Sequence, residues 1–402
     1  MTQANSLDQV RGYSKLLLPS LALSVLSTWL ITVTFQLLLI DIAQTFEVQV
    51  GTASMMASVG SISGVAFGLL MAFLSVKYNH KLLLLLGLSF TILAALGFYF
   101  APNFFVLMIS NIGVGGGIAV VTAMAYSIIG DVYPLEKRGR AIGVTVASVA
   151  LAFVVGAPLV GIIANFGDWR SVMILLSLPF TLVSLGLVAL VAPNGQNNNN
   201  SVESESFYTG CRKAFSCSAT VAALMVTAFM FCESAIGYYS VSFFREQFGM
   251  TISWGSIFIL VANLIGAIGG AFAGLLVNRV GRKRLGTITL VIAGIITLLF
   301  TFLPTVESSA ALNIARFWFS SMTFTAGGAL IIEQLPKFRS TMMSLNTAFM
   351  NVGMLLASLI AGVLLNTYGY QAVGVVLGSL GILGAVVWIA FVKEPVKTSN
   401  QN

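Results

Sequence analysis

Long apolar blocks separated by short polar gaps run through nearly the whole chain. Twelve windows can be marked out, each of about 20 residues and therefore long enough to cross a bilayer core of roughly 30 Å as a helix. They start near Leu16, Thr52, Leu82, Phe104, Ala141, Ser171, Ala219, Ser253, Leu285, Ser309, Thr341 and Ala372. Helices satisfy their own backbone hydrogen bonds in lipid, and the strict alternation of a membrane barrel is absent. The pattern predicts an all-α membrane protein with twelve transmembrane helices.

The sequence also repeats itself at an offset of 202 residues. Three landmarks return at this offset: Ala72–Lys81 as Gly274–Lys283, Asp131-x-x-Pro134 as Glu333-x-x-Pro336, and Gly167 as Gly369. A fixed offset held at three landmarks indicates a duplicated unit, and in a chain this apolar the unit is a transmembrane half.

The two halves meet at a polar, low-complexity segment near the middle of the chain. Residues 194–200 read Asn-Gly-Gln-Asn-Asn-Asn-Asn, and serine and glutamate follow. Such a composition is typical of a flexible linker. We therefore predict an N-terminal six-helix bundle over residues 1–193, a cytoplasmic linker over 194–216 and a C-terminal six-helix bundle over 217–402.

Charge sets the predicted orientation in the membrane. Hydrophobic residues make up 57% of the chain and charged residues 8%, compared with about 25% charged residues in soluble proteins. Of the 20 Lys and Arg residues, 17 lie on the side that also holds both termini, two lie opposite, and Arg316 falls inside a span. The positive-inside rule then predicts cytoplasmic termini, and we expect a bacterial inner membrane. The net charge of +7 is a consequence of topology, so nucleic-acid binding is not expected.

Cofactor and enzyme signatures are missing from the sequence. The three cysteines, Cys211, Cys217 and Cys232, have no metal-ligand spacing, and no Walker-type phosphate loop is present. The glycine-rich segment Gly113–Gly117 falls mid-membrane without a preceding strand, which favours helix packing over phosphate binding. We expect a protein that is not an enzyme, uses no cofactor and works as a monomer, with a small-molecule substrate and protons as its partners in the lipid bilayer.

Two loops resemble signatures of the major facilitator superfamily. The segment Gly274-Leu-Leu-Val-Asn278-Arg279-Val-Gly281-Arg282-Lys283 resembles G-x-L-x-D-R-x-G-R-K/R between spans two and three, and Asp131–Gly143 resembles the loop between spans four and five. The resemblance implies two pseudo-symmetric bundles, alternating access and a gate at the cytoplasmic loops. Asn278 and Val76 stand where the signature has aspartate. The residues expected to take part in gating are Lys77, Asp131, Arg138, Arg140, Asn278, Arg279, Arg282, Glu333 and Arg339.

A further segment looks like the fifth-span motif of the drug:proton antiporter branch. It reads Val155-Gly156-Ala157-Pro158-Leu159-Val160-Gly161. Proline inside a helix frees a backbone carbonyl and allows a bend, which we place at Gly156, Pro158 and Gly161. The resemblance implies proton-coupled efflux of small hydrophobic organic compounds. The chain departs from the branch in span four, where Ile109 stands in place of the usual arginine.

Two charged residues fall deep inside predicted spans. Glu233 lies near the middle of span seven, and Arg316 lies at comparable depth in span ten. Ionisable groups within the membrane are costly and mark functional sites. In the superfamily, spans one, four, seven and ten line the central cavity. We predict that Glu233 binds and releases the coupled proton, with Arg316 pairing with it or contacting substrate; the alternatives are a static buried pair or an outward-reaching Arg316.

Asp131 and Glu333 are counterparts that each end a helix on the predicted cytoplasmic side. We expect them to form salt bridges with loop cations such as Arg140, Arg279 or Arg339 and to stabilise the outward-facing state. The alternative is a solvated carboxylate at the membrane interface. The single histidine, His80, is interpreted as a remnant of the loop signature; the alternative is a role as a pH sensor.

Polar and aromatic side chains in the spans are the candidates for substrate contact. Aromatic faces suit flat or cationic organic molecules, although each such residue can equally serve in ordinary packing. The candidates are Trp29, Gln36, Asn111, Tyr126, Tyr238, Tyr239 and Trp318. The second functional hypothesis is proton-coupled uptake or exchange of a small anionic metabolite, with Arg316 as the anion ligand; a non-transporting membrane receptor is a third.

Overall fold

The computed structural model describes residues 15–193, 209–335 and 338–392, and every regular element in these ranges is helical. Six long helices make up the first half. They are α1 (Leu17–Thr45), α2 (Met56–Lys77, preceded by the short helix Val50–Ser54), α3 (His80–Phe100), α4 (Phe104–Val132), α5 (Leu135–Phe166) and α6 (Trp169–Val191, with π-helical turns at Met173–Ser177).

Six further helical segments follow in the second half. They are α7 (Ser218–Phe248, interrupted at Ala235), α8 (Ile252–Val280), α9 (Arg282–Leu299), α10 (Val306–Gln334) and the run Arg339–Phe391, divided into α11 (339–368) and α12 (370–391). The division falls at Gly369, whose φ of 79° is readily adopted only by glycine.

The described helices agree with the predicted twelve spans. Ten helices are long and apolar enough to cross a membrane, and the last of these contains both α11 and α12. The twelfth span is α10, a 29-residue helix that is less apolar because it carries Asn313, Arg316 and several hydroxyl residues. The prediction of an all-α membrane protein is confirmed.

The chain divides into two compact units. The first comprises the described residues up to 193 together with 250–260, which include the first turns of α8; the second comprises the described residues within 209–249 and 261–392. Each has its own apolar core. In the first, Leu21, Leu84 and Val121 are among the fully buried side chains, and in the second Leu224, Leu290 and Trp388 are.

Close helix contacts inside each unit depend on small residues. In the first unit a Cβ on Gly115 would lie 1.8 Å from the carbonyl oxygen of Gly60, so α2 and α4 can approach only because residue 115 has no side chain. In the second unit a Cβ on Gly353 would lie 2.3 Å from the carbonyl oxygen of Ala228, which fixes α11 against α7. The Gly113–Gly117 segment thus serves helix packing, as expected of small residues in membrane helices.

Part of the predicted linker is structured. Residues 194–208 lie outside the described ranges, but 209–216 are helical. Ala214 of this helix is fully buried, and a Cβ on Gly210 would lie 2.8 Å from the Thr341 hydroxyl oxygen. Lys213 Nζ lies 4.9 Å from the centre of the Phe338 ring. The end of the linker region therefore packs on the start of α11 within the second unit.

Candidate functional site

Two charged side chains are buried within the second unit. Glu233 on α7 and Arg316 on α10 are each 1% exposed, and they are the only buried charged residues among those described. Arg316 Nη1 lies 3.5 Å from Glu233 Oε1. The two predicted residues therefore form an ion pair. Glu233 stands two residues before the interruption of α7 at Ala235.

Hydroxyl groups from two other helices, α9 and α10, donate hydrogen bonds to the Glu233 carboxylate. Thr297 Oγ1 on α9 donates a hydrogen bond to Oε1 at 2.7 Å, and Ser320 Oγ on α10 donates to Oε2 at 3.1 Å. The backbone of α12 closes the remaining side, since a Cβ on Gly381 would lie 2.9 Å from Glu233 Cγ. Four helices thus surround one carboxylate and supply partners to both of its oxygens.

The Arg316 side chain is oriented by an amide. Its Nε donates to Asn313 Oδ1 at 3.0 Å, and Asn313 Nδ2 donates in turn to Ser240 Oγ at 2.8 Å. The guanidinium carbon lies 4.4 Å from the centre of the Phe317 ring, within the range of a cation–π contact. Asn313 thereby fixes one edge of the guanidinium and leaves the other edge directed to Glu233.

One nitrogen of this guanidinium has no hydrogen-bond partner within the described part of the chain. Arg316 Nη2 is buried and makes no hydrogen bond to any of the described residues. A buried polar group without a partner is costly and calls for a physical explanation. The arrangement is chemically able to exchange a proton at Glu233 and to offer Arg316 Nη2 to an additional acceptor.

Two further ion pairs lie at equivalent places in the two units. His80 Nδ1 at the start of α3 lies 2.7 Å from Asp131 Oδ2 near the end of α4. Arg282 Nη1 at the start of α9 pairs with Glu333 Oε2 near the end of α10. Both pairs join residues 51 apart, and each member is displaced from its counterpart by the repeat offset. The duplication has therefore preserved a contact between a basic side chain and a carboxylate while changing the basic residue.

The comparison with family models decides the identity of the fold. The model described as Major Facilitator Superfamily matches residues 17–319 and 312–402. The chain belongs to the major facilitator superfamily. It is therefore a transporter and not an enzyme, and it is an integral membrane protein.

Known proteins similar to this transporter support the same family. It is 25% identical over 402 residues to the uncharacterized MFS-type transporter YwfA of Bacillus subtilis (strain 168), covering 98% of this chain and 96% of that one. The fold is similar to that of a D-xylose-proton symporter, with a TM-score of 0.77, 15% identity and coverage of 94% and 97%. It is also similar to that of a mutant of the nucleoside transporter NupG, with a TM-score of 0.76, 11% identity and coverage of 94% and 100%.

The side chains expected to contact substrate in the first unit are engaged in packing or hydrogen bonds. Asn111 Nδ2 on α4 donates to the carbonyl oxygen of Met56, which joins α4 to α2. The Trp29 ring centre lies 6.0 Å from that of Phe153, and its Nε1 is buried with no partner among the described residues. Gln36 is 5% exposed. Their role in substrate contact stays a prediction.

The aromatic candidates elsewhere in the transporter are mostly half-buried. Tyr126 and Tyr238 are of this kind, whereas Tyr239 is buried. Trp318 packs on α8, because its ring centre lies 5.9 Å from that of Phe272 and a Cβ on Gly269 would lie 2.8 Å from its carbonyl oxygen. Trp318 lies two residues from Arg316 on the same helix, so this aromatic side chain is close in sequence to the buried pair.

The partners of Asp131 and Glu333 differ from those expected. Neither Arg140 nor Arg279 forms the predicted salt bridge; both are exposed, and His80 and Arg282 occupy that role instead. The reason is geometric, since helices α3 and α4, like α9 and α10, are antiparallel neighbours whose ends meet.

The other predicted gating residues have separate contacts. Arg138 Nε donates to the carbonyl oxygen of Tyr133 at 2.7 Å, which ties the first turn of α5 to the end of α4. Lys77 Nζ lies 5.8 Å from the centre of the adjacent Tyr78 ring. The side chains of Asn278 and Arg339 lie outside those described.

The segment of α5 in which a bend is predicted makes two close helix contacts, and the bend itself stays a prediction. Leu135–Phe166 is helical throughout and includes Pro158. A Cβ on Gly156 would lie 2.7 Å from Leu30 Cδ2 on α1, and one on Gly161 would lie 2.7 Å from Ser256 Oγ. The two glycines therefore allow close approach on the two sides of the proline.

Proposed function

We propose that this transporter is proton-coupled and that Glu233 carries the proton. The observation that supports this most strongly is the buried Glu233–Arg316 pair in the middle of two membrane helices. Removing two charges from water costs several kcal/mol each, and charges inside a membrane protein are retained mainly where they serve transport. The same pair as a mere packing element would be replaceable by apolar side chains at little cost or with a gain.

The proposed coupling follows from the charge of the pair. With Glu233 ionised, Arg316 has a counter-ion and the site is neutral overall. When Glu233 accepts a proton, Arg316 is left as a buried cation without compensation, which is strongly unfavourable. The protonated state is then stable only if the site opens to water or if another group approaches Arg316. Proton binding and the change of state are coupled through this one guanidinium.

The lead proposal for the cargo is efflux of small hydrophobic organic compounds. It is supported by the glycine–proline segment of α5 and by the half-buried aromatic side chains Tyr126, Tyr238 and Trp318. A hydrophobic compound that displaces water next to the pair would favour the ionised, mutually neutralised form of Glu233 and Arg316. Binding of substrate would therefore expel the proton, which is the exchange that an antiporter needs.

A second candidate is favoured by Arg316 Nη2, which has no hydrogen-bond partner among the residues that the structure describes. A small monovalent anion, for example a carboxylate, would supply the missing acceptor and restore neutrality once Glu233 is protonated. Proton and anion would then occupy the site together and move in the same direction. This is symport, or uptake, of an anionic metabolite, and it differs from the lead proposal in the sign of the substrate charge.

The proposal includes an orientation of the transporter in the membrane. Both termini and the His80–Asp131 and Arg282–Glu333 pairs lie on the cytoplasmic side of a bacterial inner membrane. The residues at these helix ends, including Lys77 and Arg138, take part in gating. The distribution of Lys and Arg in the sequence supports this orientation.

A ligand screen followed by a transport assay tests the proposal. Thermal unfolding of the detergent-purified protein is measured with lipophilic cations such as ethidium, neutral aromatics and aromatic monocarboxylates such as benzoate. Compounds that raise the midpoint are then tested in proteoliposomes with an imposed pH gradient and with a protonophore. Exchange of a cation or neutral compound for protons supports efflux, and accumulation of benzoate together with protons supports the anion. If neither the pH gradient nor the protonophore changes the transport of the ligand, proton coupling is contradicted.

A further inference from the structure

The two ion pairs at the helix ends differ in one chemical respect. In the second unit the cation is Arg282, whose guanidinium stays charged at any physiological pH. At the equivalent place in the first unit stands His80, whose side-chain type changes charge between about pH 5 and 8. The topology is otherwise alike, because each pair joins the start of one helix to the end of its antiparallel neighbour.

We propose that the His80–Asp131 pair is a proton-sensitive link between α3 and α4. A protonated imidazole attracts the Asp131 carboxylate as an opposite charge, whereas a neutral imidazole can only donate a hydrogen bond to it from Nδ1–H. Deprotonation therefore removes the attraction between two charges and weakens the link. A rise in pH on this side of the membrane therefore loosens the end of α4 in the first unit and leaves the Arg282–Glu333 pair unchanged.

Protons from the solution can reach the His80–Asp131 pair because both side chains are partly exposed. The His80 side chain is 17% exposed and that of Asp131 is 55% exposed, so solvent reaches both groups. By contrast, the buried Glu233 is 1% exposed. The helix-end pair therefore senses the pH of the adjacent solution independently of proton movement through the proposed transport site.

Other charged residues surround the His80–Asp131 pair. On the neighbouring helices these are mostly basic: Lys77 ends α2, Lys81 follows His80 on α3, and Lys137, Arg138 and Arg140 begin α5. Asp131 is the carboxylate that contacts the imidazole, while the side chain of Glu136 lies outside those described. In a largely basic surrounding the protonated imidazole depends on Asp131, so loss of that carboxylate disfavours its charge.

A nuclear magnetic resonance titration tests the link directly, because His80 is the only histidine in the chain. Protein labelled with ¹⁵N-histidine and purified through a tag without histidine gives one imidazole signal in lipid nanodiscs. We expect the imidazole signal of Asp131→Asn to differ from that of the wild type at about pH 5.5, where an ordinary imidazole carries a proton, because the carboxylate that contacts Nδ1 is gone. Superimposable spectra of the two proteins would overturn the proposal.

Reciprocal swaps test whether the link changes the helix ends. Hydrogen exchange is compared at about pH 5.5 and about pH 8, on either side of the imidazole range, for peptides at the ends of α4 and α10. After correction for intrinsic exchange, the end of α4 in the wild type should be less protected at the higher pH. His80→Arg should remove this dependence, and Arg282→His should create it at α10. A dependence that persists in His80→Arg, or fails to arise in Arg282→His, would contradict the proposal.

Discussion

The two units share an arrangement of helices but differ in the residues that they bury at equivalent positions. At the positions of Glu233 and Arg316, the first unit has Ile31 and Val114, which are 0% and 5% exposed. The helices that carry these residues correspond through the repeat, yet one unit buries an ion pair and the other buries aliphatic side chains. A hydrocarbon pair at the equivalent site shows that the helix packing itself does not need the charges. This comparison is the main support for a functional role of Glu233 and Arg316.

The helix ends show the opposite relation. Both units retain an ionic link there, although His80 stands in the first unit where the second has Arg282. Retention of the link across the duplication, together with divergence of the interior, separates two roles. The ends maintain a feature common to both halves, and the charged interior is specific to the second half.

The largest effect is expected when one partner of the interior pair is removed. Arg316→Ala leaves the Glu233 charge buried without a counter-ion, and we expect a loss of about 3–5 kcal/mol in the free energy of unfolding. Denaturant titration of the detergent-purified protein measures this. In the first unit, Val114→Ala removes only apolar volume and should cost less.

The double variant sharpens the same comparison. Glu233→Gln in the Arg316→Ala background removes the orphan charge and should recover part of the lost stability. If the double variant is no more stable than Arg316→Ala, the destabilisation does not arise from an uncompensated charge. The ion pair would then contribute mainly through its packing volume.

A smaller effect is expected from crowding the carboxylate. Gly381→Ala places a Cβ 2.9 Å from Glu233 Cγ, and overpacking of this kind costs about 1–3 kcal/mol. Gly328→Ala on α10 is the matched control, because nothing lies within 4 Å of the position that its Cβ would take. We expect the control to be neutral or stabilising in thermal unfolding. Equal effects of the two substitutions would argue against close contact between α12 and Glu233.

The smallest effects are expected at the helix ends. Arg282→Ala and His80→Ala each remove an exposed or partly exposed pair, worth about 0.2–1 kcal/mol. The Arg282 variant should lie toward the upper end, since the side chains of its pair are 26% and 31% exposed. Thermal unfolding at about pH 8, where an ordinary imidazole is neutral, should therefore show a larger loss for Arg282→Ala. A larger loss for His80→Ala would reverse the interpretation of the two links.

The fold was predictable because lipid restricts it so strongly. Blocks of about 20 apolar residues read directly as spans, and the offset of 202 residues between the repeated landmarks indicated the duplication. The helical segment 209–216 was not predicted, because the residues before it are polar and only a short stretch packs against the protein. Ala214 in that stretch is fully buried. A polar composition is therefore a poor predictor of flexibility where a few small residues pack against a neighbouring helix.

The charged centre of the site was also predictable, but its supporting residues were not. Glu233 and Arg316 stand out because charges are rare in spans. Thr297, Ser320 and Asn313 do not, since hydroxyl and amide residues are frequent in these helices and often bond to their own backbone. The helix-end pairs did carry a signal: both join residues 51 apart, and His80 and Asp131 are the repeat counterparts of Arg282 and Glu333.

The central claim is that Glu233 carries the coupled proton, and Glu233→Gln tests it most directly. In proteoliposomes, the ligand identified by thermal shift is followed in two modes: accumulation driven by a pH gradient, and exchange between labelled and unlabelled ligand without a gradient. We predict that Glu233→Gln loses gradient-driven accumulation, because the amide resembles the protonated side chain and can neither bind nor release a proton. Exchange is the control, since exchange that persists shows that the variant is folded and still binds the ligand. Gradient-driven accumulation equal to that of the wild type would contradict the account.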